Sequence, residues 1–143
     1  MNKCLVWLPV LIVAGVSIYK PAKEAYEEKP VNKSVSFAVY KSSAYTSAAY
    51  NNTSAQVHII VEKTGTKGTS VVWDTTLNSR VLKDFPSLDK AQYQNILIPG
   101  INPCKEHLQV NYILTYNSKG NELQMQENAA VSNNGTTKVD ISI

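Results

Sequence analysis

Residues 107–123 read HLQVNYILTYNSKGNEL. Leu108, Val110, Tyr112, Leu114 and Tyr116 occupy every second position, with Gln109, Asn111, Ile113 and Thr115 between them. Successive side chains of an extended chain point to opposite faces, so this period of two specifies a long strand with one buried side. A helix would need its apolar residues three and four apart. The NSKGN that follows is made of residues suited to a tight turn. Leu123 and Met125 then share one face of a returning strand.

Outward from this hairpin the same period recurs. In SVSFAVYK (34–41), Val35, Phe37 and Val39 alternate with Ser34, Ser36 and Ala38; in AQVHIIVEK (55–63), Val57, Ile59 and Val61 oppose Gln56, His58 and Glu62. TGTKG (64–68) reads as a loop because Gly65 and Gly68 accept backbone angles that branched residues resist. TSVVWD (69–74) is a short strand with Trp73 as a core anchor. The stretch from Thr75 to Gln92 supports either a ragged strand or one short helix before Pro86, and YQNILIPGINP (93–103) restores a strand that ends at Pro99 and Gly100. TTKVDISI (136–143) is a last strand with Val139, Ile141 and Ile143 in phase. Seven or eight strands without helical crossovers predict an all-β fold, with two antiparallel sheets packed as an immunoglobulin-like or fibronectin-type sandwich.

The 21 residues GINPCKEHLQVNYILTYNSKG (100–120) resemble the turn, long strand and hairpin near the end of fibronectin type III domains. There a Gly-Leu-x-Pro turn leads into an aromatic strand; Ile101 stands at the Leu position here, and Leu108 begins the apolar face. The resemblance implies extracellular adhesion, recognition or spacing, roles that a fold does not carry by itself.

The chain has 143 residues, room for one domain with a core of its own. Residues 1–19 place Lys3 before an apolar run from Cys4 to Tyr19, as an export signal does, and Ala14, Gly15 and Ser17 offer a cleavage region. This segment is expected to be a cleaved signal peptide, with a signal anchor as the alternative; a secreted or periplasmic protein follows, or one held at the membrane by its N-terminus. Residues 20–33, with four Lys, three Glu and two Pro, read as a polar linker to a sandwich domain at 34–143. A net charge of +3, from 14 basic and 11 acidic side chains spread along the chain, contains no basic run to follow a phosphate backbone, so nucleic acid is not expected as a partner.

Residues that could carry chemistry are few and scattered along the chain. Cys104, alone once the leader and Cys4 are removed, has no second cysteine, and His107 three positions later does not by itself make a catalytic pair. His58 and His107 lack the spacing of a metal site, and Asp74, Asp84 and Asp89 form no calcium loop. No cofactor, metal site or catalytic residue is assigned, and the chain is read as a non-enzyme. Asn32, Asn51, Asn52 and Asn134 stand in glycosylation sequons. The segment YKSSAYTSAAYNNTSA (40–55) spaces Tyr40, Tyr45 and Tyr50 five apart among small polar residues. Tyrosine offers a wide contact area at small entropic cost, and Ser and Asn add adaptable hydrogen bonds. Tyr40, Tyr45, Tyr50, Asn51 and Asn52 are therefore the candidate interaction residues. The leading expectation is a noncatalytic exported interaction or adhesion module that binds a protein partner through a sheet edge or this loop. A carbohydrate or small-ligand binder is the first alternative, and an exported hydrolase the second.

Overall fold

The computed structural model describes residues 29–132 and 135–143. The expected leader, most of the polar linker and the Asn134 sequon lie outside the described residues. Eight strands follow in chain order: β1 Val31–Tyr40, β2 Thr53–Gly65, β3 Gly68–Thr76, β4 Arg80–Val81, β5 Gln92–Ile101, β6 His107–Ser118, β7 Asn121–Ala130 and β8 Thr136–Ser142. One sheet has the order β5-β1-β8; the other runs β3-β2-β6-β7, with β4 paired to the start of β2. No helix among the described residues is long and apolar enough to cross a membrane.

Alternation decides which faces meet. Val35, Phe37 and Val39 from β1, Val57, Ile59 and Val61 from β2, Val110 and Leu114 from β6, and Val139 and Ile141 from β8 belong to one buried cluster. Each such aliphatic side chain contributes about 1.5–3 kcal/mol over its exposed state. The sheets are therefore joined through the faces that the period of two marks as apolar. On β6, Leu108, Val110, Tyr112 and Leu114 are all buried, as the opening stretch predicts.

The lateral order of the sheets can be read from their contacts. Trp73 on β3 stacks on Phe37 of β1 with ring centroids 5.4 Å apart and planes 8° from parallel. Ile96 and Ile98 of β5 border one shallow cleft together with Val72 and Trp73 of β3. β5 thus covers the β3 side, and β8, on the other flank of β1, covers the β6 side. Three strands lie over four, so β7 has no strand opposite it.

Three local features depart from the sequence reading in whole or in part. β8 pairs with β1 in parallel, from Ser34↔Thr136 to Tyr40↔Ser142, whereas only antiparallel pairing was expected. The reason is geometric: β7 finishes at the end of the sandwich where β1 begins, the chain crosses there to the other sheet, and β8 descends in the same direction as β1. The stretch after β3 meets both sequence alternatives in part, with a minimal strand and one short helix before Pro86. It holds the two-residue β4 and two 3₁₀ turns, Leu82–Asp84 and Leu88–Lys90, with Leu82 fully buried beneath them. β5 also runs past Pro99 and Gly100 to Ile101. Two steps along β1, Val31 to Lys33, oppose three along β5, Ile98 to Ile101. That bulge is absorbed where Gly100 takes φ +72°, and Pro99 is tolerated because β5 is an edge strand. β1 itself begins at Val31, three residues before the expected domain start, and Lys33 is buried.

Candidate functional site

The Tyr-rich segment closes one end of the sandwich, between β1 and β2. It forms two 3₁₀ turns, Ser43–Thr46 and Ala48–Tyr50, the first capped by the Ser42 hydroxyl, which accepts from Ala44 N–H at 3.2 Å. Its base is tied to the end of β8: Ser42 N–H donates to Ile143 O at 2.7 Å and Ile143 N–H donates to Tyr40 O at 2.9 Å. Lys41 N–H donates to Pro86 O at 2.7 Å. A segment that composition alone would leave mobile is thus anchored at its entry.

This anchoring brings Tyr45 and Tyr50 together edge to face, with centroids 5.0 Å apart and planes at 83°. Tyr116, at the end of the buried face of β6, lies 6.2 Å from Tyr45. The three rings form one wall of a groove of 440 Å³; Leu82 and Thr53 contribute to its base, and Leu123 and Met125 of β7 form the facing wall. Leu123 and Met125 pair with Tyr116 and Leu114, so they stand on the core-facing side of their sheet. Even so, Leu123 is 60% and Met125 44% exposed, because no strand lies over β7.

The phenols of Tyr116 and Tyr112 on β6 are held protonated. Burial, then the charge of Tyr45 and a hydrogen bond with it, pushes the Tyr116 pKa up. One turn of the pleat away, Tyr112 is pushed up to about 12, first by burial and then by the hydrogen bond it donates to Glu127 on β7. Neither tyrosine is an acid–base group at neutral pH; Tyr112 is buried in the core, and Tyr116 lines the groove.

Of the residues singled out from sequence, Tyr45 and Tyr50 meet in the groove, and Asn51 and Asn52 form the exposed turn at its rim. Tyr40 does not join them. It ends β1 opposite Ser142 and borders a separate cleft with Lys41, Ser87 and Leu88. Sequence reasoning missed Tyr116, Leu123 and Met125 as groove walls, although the phase of Leu123 and Met125 with the buried face of β6 was there to read.

The remaining chemistry stays dispersed. His58 Nε2 lies 2.8 Å from Asp74 Oδ1 across β2 and β3, an exposed pair on the outer face of its sheet. His107 opens β6 and is exposed, and Cys104 lies in the preceding loop. Among the described residues no three His, Cys, Asp or Glu side chains gather as metal ligands. No protein-family model, curated protein or solved structure matches the chain.

Proposed function

We propose that this protein is a noncatalytic interaction module that receives an extended strand of a partner protein in the groove between the Tyr45–Tyr50–Tyr116 wall and the inner face of β7. The observation that carries the reading is the three-over-four sandwich: Leu123 and Met125 on the inner face of β7 are apolar yet uncovered, and β8, the last strand of the facing sheet, presents an edge with no pairing partner among the described residues. An incoming strand satisfies both, pairing its backbone with β8 and laying alternate apolar side chains over Leu123 and Met125. Strands in a sheet are spaced about 4.8 Å apart, so one strand is the width that the three-stranded sheet lacks.

The same layout favours an immunoglobulin-type sandwich with an altered flank. The adjacencies β1–β5 and β2–β6–β7 are those such folds make between their second and fifth strands and among their third, sixth and seventh. In this reading β8 stands beside β1 where those folds keep their first strand. Export by the N-terminal apolar segment fits an adhesion or assembly role and belongs to the same proposal.

The test uses the partner recovered from the source organism, titrated against three forms of the chain. Replacing Leu123 and Met125 by Ser should weaken binding at least about tenfold, since the apolar area they bury against the incoming strand is lost. Replacing the exposed Tyr93 and Leu97 on the outer face of β5 by Ser should leave it unchanged. Equal loss in both variants, or loss in neither, contradicts the groove as the site.

A further inference from the structure

At the opposite end of the sandwich, the β2–β3 hairpin tip and the β5–β6 loop enclose a second cleft, of 500 Å³. Its lining includes Lys63, Lys67 and Lys105 against a single acid, Glu106, a net excess of two positive charges. No aromatic or aliphatic side chain lines it; the hydroxyls of Thr66, Thr69 and Ser70 and the amide of Asn102 do.

The walls are fixed in place. Asn102 N–H donates to Glu106 Oε2 at 2.9 Å, Glu106 N–H donates to Asn102 O at 2.8 Å, and Cys104 N–H donates to Asn102 Oδ1 at 3.1 Å. The other Glu106 oxygen takes Lys63 Nζ at 3.0 Å, which ties the loop to β2. Across the hairpin the Thr64 and Thr69 hydroxyls are 2.9 Å apart. Gly65 permits the close approach of the two loops, because a Cβ there would lie 3.2 Å from Glu106 Cγ and 3.4 Å from Lys105 O. The hydrogen bond from Asn102, then the one from Lys63, holds the Glu106 carboxyl below its ordinary range, so it remains an anion with both oxygens engaged.

We infer that this cleft binds a small acidic sugar, its carboxylate held by the lysines and its hydroxyls by Thr66, Thr69, Ser70 and Asn102. Charge selects an oxyanion, and focused positive potential in a cleft raises its local concentration. A polar lining free of apolar walls suits a ligand rich in hydroxyls rather than a flat hydrophobic one, and the volume lies within the range of about 300–1,000 Å³ for small-molecule sites. This inference is independent of the strand groove, which lies at the other end of the molecule.

The test follows backbone amide resonances of the full chain during titration with glucuronate, glucose and inorganic sulfate. Glucuronate should shift the amides of Gly65–Ser70 and Asn102–Glu106 saturably, and glucose should not. Lys67→Gln combined with Lys105→Gln should weaken glucuronate at least about tenfold, as expected for loss of hydrogen bonds to a charged group. Glu106→Gln, which keeps an acceptor for Asn102 N–H and removes the one negative charge, should strengthen it. Sulfate that binds these amides with glucuronate failing to compete would overturn the sugar assignment, and so would unsaturable shifts spread over lysines of the whole surface.

Discussion

Leu114 and Thr115 are neighbours in the chain and belong to different environments: Leu114 is 3% exposed in the core, while Thr115 stands on the outer face of β6. Leu114→Ala should cost about 2–5 kcal/mol, from lost transfer energy and the cavity left behind. Thr115→Ala should cost well under half of that, and denaturant midpoints for the two variants measure the difference. At Tyr112 the consequence is one of pH. Its pKa rises from an ordinary 10 to about 12 in the fold, so its contribution is complete below pH 10 and is lost as pH climbs through 12. Unfolding curves taken across that window should lose stability more steeply in the wild type than in Tyr112→Phe, which has no proton to release. Parallel slopes would remove Tyr112 from the alkaline transition.

The β6–β7 hairpin turns on Lys119 at φ 52° and Gly120 at φ 84°. Two successive positive φ values define the turn that matches the twist of paired strands, and they favour Asn-Gly over Lys-Gly. Gly120→Ala should therefore destabilise by about 1–2 kcal/mol, the cost of a left-handed side-chain-bearing residue, and Lys119→Asn should stabilise, both read from thermal melts. Elements of this kind were legible in the sequence because their signals are local: a period of two along β1, β2 and β6, and turn residues after β6. The stretch between β3 and β5 was legible only as an unresolved choice between a ragged strand and a short helix, and it holds a little of each. Leu77, Val81 and Leu82 carry no period, and Leu82 is buried because of where β4 pairs to β2 rather than through any pattern of its own. The Tyr-rich segment lies between these cases. Its composition marked Tyr45 and Tyr50 as a surface, but their meeting with Tyr116 depends on anchoring to Pro86 and Ile143, contacts that no local pattern encodes.

At the scale of the molecule the decisive fact is a mismatch in strand number, and β8, the third strand of the smaller sheet, is where that sheet stops short. The sequence reading of TTKVDISI found its buried face correctly, since Val139, Ile141 and Ile143 are all in the core. It could not find the partner of β8, because alternation specifies a face and says nothing of which strand lies alongside. Parallel pairing to β1 leaves β8 as the last strand of its sheet and the inner face of β7 without a cover. The two ends of the sandwich differ accordingly: one carries an apolar groove walled by tyrosines, the other a polar cleft walled by lysines. The measurement that bears most directly on the proposed role is amide hydrogen exchange with and without the partner bound. Strand insertion predicts that amides along β8 slow markedly on binding, together with those of the Tyr45–Tyr50 segment, while the β5 edge keeps its free rate. Slowing confined to β5 or β3, with β8 unchanged, would contradict it.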